Sequence, residues 1–96
     1  MKKIKILFVC KYNRFRSKVA ESFLAHFGSE TFSVKSSGVM IDELRPYVSE
    51  TTKIILREKG ISVVSDKSHL INHELISWAD KIVVVADNIL TDIFPK

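Results

Sequence analysis

The chain of 96 residues has a formal net charge of +4 at pH 7, with 46% hydrophobic and 27% charged residues. These values exclude an intrinsically disordered chain, and the scattered basic residues favour no nucleic-acid partner. A single cysteine, Cys10, excludes an intramolecular disulfide, which is typical of a reducing compartment. The apolar run after the N-terminal lysines is too short for a signal peptide or a membrane span. We therefore expect one cytoplasmic domain over residues 1–96, without a membrane partner.

Hydrophobic periodicity and capping signals divide the chain into alternating strands and helices. Strands that alternate with helices predict an α/β fold, in which a parallel sheet is connected by right-handed crossovers. In chain order, the predicted elements are a strand over 3–9, a helix over 17–27, a strand over 31–37, a helix over 48–59, a short helix over 69–78 and a strand over 81–87.

The apolar positions within these elements predict which faces are buried. In the second helix, Ile54, Ile55 and Leu56 are expected to point inward, and Asn72 is a possible N-cap of the third helix. In the first helix, the apolar residues that recur at helical spacing are Val19, Ala20, Phe23, Leu24 and Phe27.

Cys10 lies where the first strand ends and the first helix begins, the edge of a parallel sheet at which ligands bind. A short loop there can turn several backbone N–H groups inward and form an anion site with the helix N-terminus. Arg16 adds a planar guanidinium that matches two phosphate oxygens. Positive potential favours the thiolate of Cys10, and Ser17 can cap the helix or donate its hydroxyl to the sulfur. The pattern indicates a nucleophile; the alternative is an inert buried cysteine.

The stretch "ILFVCKYNRFRSKVAESFL" resembles the low-molecular-weight protein tyrosine phosphatases, whose signature is a strand, Cys-x5-Arg-Ser and a helix. The likeness continues in order through "SVKSSGV", "LREKGI" and "LISWADKIVVVAD". The resemblance implies a small three-layer α/β/α sandwich with a parallel sheet in flavodoxin-like order. It also implies that the last strand and helix of that fold are absent from this sequence, so that 1–96 is a C-terminally incomplete domain.

The resemblance assigns roles to individual residues. It implies that Cys10 is the nucleophile that forms a phosphocysteine, and that Arg16 binds phosphate and stabilises the transition state. Ser17 would support the thiolate. Asn13 matches the asparagine that holds a strained loop backbone, and Ser37 matches one of the serines to which that asparagine bonds.

The loop also departs from the pattern of the resembling family. Tyr12 stands where a small residue is usual, and Phe15 replaces a second cysteine that many members carry. Ser65 lies near a position where some members have a histidine. The residues expected to contact the substrate are Lys11, Tyr12, Asn13, Arg14, Phe15 and Arg16.

The general acid has no counterpart in this sequence. In the resembling family an Asp-Pro loop supplies the aspartate that protonates the leaving phenolate. Asp87 and Asp92 are nearby carboxylates, yet neither precedes a proline. The identity of the acid is therefore open, and loss of a general acid costs about 10²–10⁴ in rate.

Three functions remain open. The first is hydrolysis of phosphotyrosine or a related aryl phosphate. The second is arsenate reduction with an external thiol, because no second cysteine is present to form a disulfide. The third is a non-catalytic phosphate- or phosphopeptide-binding module that lacks the acid.

The expected partners follow from the anion loop. They are a phosphorylated protein or a small aryl phosphate, with phosphate, sulfate or vanadate able to occupy the loop. No cofactor is expected, and no metal, because His69 and His73 lack further ligands. The apolar strand over 81–87 would be an exposed edge, which favours a dimer or a domain swap through it.

Overall fold

The computed structural model describes residues 2–85. Three strands and three helices follow one another with short connections, and the predicted parallel α/β architecture is confirmed. The elements are β1 (Ile4–Cys10), α1 (Arg16–Phe27), β2 (Phe32–Gly38), α2 (Glu50–Glu58), α3 (His73–Trp78) and β3 (Lys81–Val84).

The sheet has the order β2-β1-β3, with both pairings parallel. Cys10 is opposite Gly38 in the register of β1 with β2, and Val9 is opposite Val84 in that with β3. From β1 the chain passes to β2 on one side, and from β2 it crosses over β1 to reach β3 on the other side. Since such crossovers are right-handed, α1 and α3 lie on opposite faces of the sheet.

Strand β1 is central, and its side chains are buried on both faces. Leu7 and Val9 are fully buried and form a cluster with Ala79, against which Leu75 and Trp78 of the α3 region pack. Side chains alternate along a strand, so the neighbours of Leu7 and Val9 point to the face covered by α1. The continuous apolar run of β1 is the sequence pattern of such a doubly covered strand.

Burial in α1 differs from the prediction. The apolar residues expected to face the core are only half-buried, and Phe27 is 72% exposed. Two polar residues, Ser17 and Glu21, face inward because they hydrogen-bond to Cys10 of β1 and Ser36 of β2. The buried residues of the helix are Ser17, Lys18, Glu21 and Ser22.

In α2 the predicted inward face is also partly wrong. Leu56 is buried, Ile55 is half-buried, and Ile54 is 50% exposed. The Ser49 hydroxyl accepts the backbone N–H of Thr52 at 3.2 Å, so the helix begins just after this N-cap.

The third helix is shorter than predicted. Asn72 is its N-cap, as expected, and accepts the N–H of Leu75 at 2.9 Å. Residues before Asn72 are extended because their backbone bonds to the end of β2. Gly38 donates to the carbonyl of His69 at 2.7 Å and accepts from Ile71 at 2.9 Å. The predicted start at residue 69 is therefore wrong.

The last predicted strand is observed as β3 over Lys81–Val84. Residues 86 and 87 of that prediction lie outside the described residues, and association through 81–87 stays a prediction. Within residues 2–85, no helix is long and apolar enough to cross a bilayer. The same residues contain no cluster of three or more histidine, cysteine or acidic side chains suited to a metal ion.

Leu56 and Ile54 provide a test of the orientation of α2. Leu56→Ala removes a buried side chain and is expected to lower the free energy of unfolding by about 2–5 kcal/mol. Ile54→Ala removes an exposed one and is expected to change it by about 0.5 kcal/mol or less. Urea denaturation of both variants measures the difference, and equal losses would contradict the orientation of α2.

Candidate active site

The loop over residues 11–15 connects β1 to α1 at the carboxyl edge of the sheet. Its backbone passes close to Gly38, the last residue of β2. A Cβ atom on Gly38 would lie 2.8 Å from the carbonyl oxygen of Lys11 and 2.9 Å from the nitrogen of Asn13. Only glycine fits there, because both of these neighbours are backbone atoms that cannot move aside.

The carbonyl groups of the loop are held by donors from the surrounding structure. The carbonyl of Cys10 accepts from Val39 at 3.0 Å, and that of Lys11 accepts from Met40 at 2.9 Å. Farther along, the Arg14 carbonyl accepts from the N–H of Ser49 and the hydroxyl of Thr52. In a trans peptide the N–H points opposite to the C=O. The next N–H groups are therefore directed to the other side of the loop.

A cavity of about 270 Å³ opens on that other side. It contains four cationic side chains and one carboxylate, so its field favours an anion. Tyr12 and Phe15 form exposed aromatic walls, 37% and 41% accessible. The lining residues are Cys10, Lys11, Tyr12, Arg14, Phe15, Arg16, Asp42 and Arg45.

The sulfur of Cys10 lies at the bottom of this cavity and is nearly buried, with 5% of the residue exposed. The backbone N–H of Asn13 donates to it at 3.2 Å, and the hydroxyl oxygen of Ser17 lies 2.8 Å away. The sulfur therefore has two hydrogen-bonding neighbours, one from the loop and one from α1.

The side-chain amide of Asn13 sets the direction of these bonds. Its Oδ1 accepts the backbone N–H of His69 at 2.7 Å, which fixes the orientation of the amide. Its Nδ2 then donates to Ser17 at 2.7 Å and to Ser36 at 2.9 Å, so both hydrogens are used. Because Ser17 accepts from Asn13, its own hydrogen is free to be donated to the sulfur of Cys10.

Asn13 itself has φ = 53°, in the left-handed region that L residues other than asparagine and glycine rarely adopt. Its carbonyl accepts the hydroxyl of Ser68 at 3.0 Å. Asn13 is completely buried and does not line the cavity, so it supports the loop and has no direct access to a ligand. The predicted contact of Asn13 with substrate stays a prediction.

The serine predicted to bond with Asn13 is also corrected. Ser36 makes that bond, whereas Ser37 is buried and its hydroxyl has no hydrogen-bond partner among the described residues. Neighbouring side chains in a strand point to opposite faces, and Ser36 is the one on the α1 side. Its hydroxyl donates to Oε1 of Glu21 in α1 at 2.6 Å.

A buried ion pair lies behind the loop, and sequence reasoning missed it. Lys18 is completely buried, and its Nζ lies 3.9 Å from Oε1 of Glu21. Burial lowers the pKa of Lys18, against the opposing effects of Glu21, Asp66 and Cys10. Burial raises the pKa of Glu21, against the hydrogen bond from Ser36 and the charge of Lys18. The spacing of three residues between Lys18 and Glu21 on a predicted helix is the sequence signal that could have indicated this ion pair.

The basic side chains at the cavity entrance are held by nearby aromatic and acidic residues. Arg14 donates from Nε to the carbonyl of Tyr47 at 2.9 Å and lies over its ring at 5.9 Å. The ammonium of Lys11 lies 5.3 Å from the ring centre of Tyr12. These contacts orient the charges towards the cavity and limit their freedom.

Asp42 is the carboxylate in the cavity lining, and it too was missed by the sequence analysis. It accepts from Nε of Arg45 at 3.0 Å and from Nη2 at 2.9 Å. Desolvation would raise the pKa of Asp42, but the hydrogen bond and charge of Arg45 outweigh it and hold the pKa below its ordinary value. A carboxylate that is ionised at neutral pH is a poor proton donor. Asp87 and Asp92 lie outside the described residues.

A larger cavity, about 800 Å³, lies along the outer side of β2 between Val34, His69 and Trp78. It includes neither Cys10 nor Arg16. Size alone would favour it as the site, but Cys10 and the loop cations line the smaller cavity. The chemistry therefore indicates the smaller one.

A sequence profile described as "Low molecular weight phosphotyrosine protein phosphatase" matches residues 5–96. The chain belongs to this family. It is 33% identical over 85 residues to an arsenate reductase of Shouchella clausii, covering 88% of this chain and 58% of that protein. It is also 33% identical over 95 residues to a protein-arginine-phosphatase of Geobacillus stearothermophilus, covering 96% of this chain and 63% of that protein.

Similar solved structures give the same result for the fold. The YwlE arginine phosphatase from Geobacillus stearothermophilus superposes with a TM-score of 0.81 at 30% identity, covering 96% of this chain and 60% of that one. Vibrio vulnificus Wzb, solved with benzylphosphonate, superposes at 0.80 with 25% identity, covering 98% of this chain and 68% of that one. The chain spans about three fifths of the length of the curated relatives.

Ser17 provides a test of the hydrogen bond to the sulfur. Ser17→Ala removes the donor, and iodoacetamide alkylation of Cys10 at neutral pH is expected to slow by about tenfold, since a hydrogen bond to a charged group contributes about 1.5–3 kcal/mol. Ser22→Ala is the matched control, a buried serine of α1 whose hydroxyl has no hydrogen-bond partner in the described part of the chain. Equal rates in the two variants would contradict the role of Ser17.

Proposed function

We propose that this protein is a phosphatase that hydrolyses phosphotyrosine or a related aryl phosphate through a phosphocysteine on Cys10. The observation that carries the proposal is the position of the Cys10 sulfur. It accepts hydrogen bonds from Asn13 and Ser17 at the bottom of a cavity lined by cationic side chains. Such an arrangement suits a nucleophile whose target is a tetrahedral anion.

In the first step the thiolate of Cys10 attacks phosphorus, forming an S–P bond while the P–O bond to the aryl group breaks. Arg16 and the loop N–H groups hold the three equatorial oxygens, where charge is concentrated in the transition state. The aryl oxygen leaves with the electron pair and takes up a proton. Water then attacks phosphorus, the S–P bond breaks, and inorganic phosphate and the Cys10 thiolate are released. The residue that supplies the proton is left unassigned.

An aryl group fits the walls of the cavity better than a guanidinium group does. Tyr12 and Phe15 present exposed rings at the entrance, against which a phenyl ring can pack. The guanidinium of a phosphoarginine would instead need a free carboxylate, but Oδ2 of Asp42 already accepts from both Nε and Nη2 of Arg45. The similarity to a protein-arginine-phosphatase makes phosphoarginine the substrate to compare with phosphotyrosine.

Arsenate reduction is the second candidate, and the 33% identity to an arsenate reductase favours it. Arsenate is a tetrahedral anion like phosphate, and the same loop would hold it. The 96 residues contain one cysteine, so the thiol that releases arsenic from Cys10, and is oxidised in the process, would lie outside these residues.

Hydrolysis of p-nitrophenyl phosphate distinguishes the functions. We expect turnover that is abolished in Cys10→Ser and reduced by about 10²-fold or more in Arg16→Ala, because Arg16 stabilises transition-state charge. Arg57→Ala, which removes an exposed arginine at the end of α2, is the control and is expected to retain activity. Arsenate-dependent oxidation of an added thiol without phosphatase turnover would favour the reductase. Phosphate binding without either activity would favour a binding module.

The aromatic entrance predicts a preference for aryl leaving groups. Phe15→Ala is expected to raise the KM for p-nitrophenyl phosphate about threefold to tenfold, because it removes the contact with the substrate ring. Inhibition by inorganic phosphate is expected to be unchanged, since phosphate has no ring. Phe27→Ala, an exposed phenylalanine at the far end of α1, is the matched control. Weaker phosphate inhibition in Phe15→Ala would indicate a disturbed loop instead of a lost ring contact.

A further inference from the structure

The catalytic steps above make no use of the buried lysine behind the phosphate loop. Lys18 is completely inaccessible, and its Nζ has no hydrogen-bond partner among residues 2–85. An ammonium group in such a place is costly unless it offsets negative charge. Glu21, 4% exposed, is the carboxylate beside it at 3.9 Å.

The hydrogen-bond chain behind the loop has an acceptor at each end. Asn13 gives one hydrogen of its amide to Ser36 and the other to Ser17. Ser36 therefore donates to Glu21, and Ser17 donates to Cys10. A carboxylate and a thiolate accept hydrogen bonds without donating any. The hydrogen-bond chain therefore fits a negative charge at each end, on Glu21 and on Cys10. Lys18 is a buried cation 3.9 Å from Glu21, and it interacts electrostatically with Cys10 as well.

The other charges around this chain come from separate elements. Asp66, in the connection between α2 and α3, attracts Lys18. Desolvation lowers the pKa of His69, and the positive charges of Lys18 and Lys67 lower it further. On the cavity side, the groups around Cys10 are Lys11, Arg14, Arg16, Asp42 and Arg45. The cavity side is open to solvent, which screens those charges, whereas Lys18 and Glu21 act through buried protein.

We propose that Lys18 is a positioning residue for the nucleophile, and that its buried ammonium offsets the Glu21 carboxylate so that the Cys10 thiolate forms at the other end of the chain. The inference rests on the proposed role of Cys10 as the nucleophile. Without Lys18, two anions joined through one set of hydrogen bonds compete for a proton, and the thiolate forms only at higher pH. Glu21 acts in the opposite sense, because its negative charge opposes the thiolate.

The test is the pH dependence of Cys10 alkylation by iodoacetamide in three variants. In Lys18→Met the half-maximal rate is expected at a pH about one unit higher, because a buried positive charge that attracts the thiolate is removed. In Glu21→Gln, which keeps an oxygen to accept from Ser36, it is expected at lower pH. The double variant Lys18→Met/Glu21→Gln is expected to return close to the wild-type profile.

A purely structural role for Lys18 would not give opposite shifts that cancel. Lys35→Met is the control, since it removes the same charge from an exposed site next to Ser36, and its profile is expected to match the wild type. Urea denaturation checks that each variant is folded. If Lys18→Met does not fold, the comparison of Glu21→Gln with the double variant isolates the same charge, because that pair differs only at Lys18.

Unshifted profiles in Lys18→Met, or a double variant that behaves like Lys18→Met alone, would overturn the proposal. The readout needs no substrate, so it is independent of whether the protein hydrolyses phosphate esters. If p-nitrophenyl phosphate is not turned over but the shifts are seen, the proposed function fails while the role of Lys18 stands. If turnover is seen without the shifts, the proposed function stands and the role of Lys18 fails.

Discussion

The amide of Asn13 has two hydrogens to donate and one oxygen to accept, and the rest of the site depends on how they are used. The backbone N–H of His69 can only donate, so the oxygen of Asn13 must face it. Both hydrogens are then committed to hydroxyl groups, and the direction of every later bond is determined as far as Glu21 and Cys10. The neutral side chain of Asn13 thus makes the Cys10 sulfur a hydrogen-bond acceptor, although this side chain does not itself bond to the sulfur.

The unusual polarity of α1 follows from the same requirement. A helix against a sheet ordinarily buries apolar residues. Here the inward side carries Ser17 and Glu21, which the hydrogen-bond chain needs at both of its ends, together with Lys18, which offsets the charge. The apolar residues of the helix are displaced towards its flanks, and Phe27 is largely exposed. Helix α1 therefore contributes more to the chemistry of the loop than to the hydrophobic core.

Much of the fold was predictable, because strand and helix periods in the sequence agree with the tertiary structure. The run ending at Cys10, the cap at Asn72 and the Cys-x5-Arg-Ser spacing each depend on neighbours in the sequence. That Asn13 bonds to Ser36 and not to Ser37, and that Ile54 is exposed, depends on which face of each strand or helix packs against its neighbours. A single sequence does not carry that information. Asp42 and Arg45 line the cavity because the loop after β2 folds against the loop after β1, and no local sequence pattern indicates this contact.

The carbonyl groups of the loop have a consequence for the chain as a whole. The donors that hold them come from three places: the segment after β2 for Cys10 and Lys11, Ser68 for Asn13, and the start of α2 for Arg14. Turning a carbonyl outward removes the negative end of a peptide dipole from the cavity and presents the positive end. The affinity for an anion is thus a distributed property. The donors themselves do not line the cavity, yet a sequence change at any of them would reach it by rotating a peptide plane of the loop.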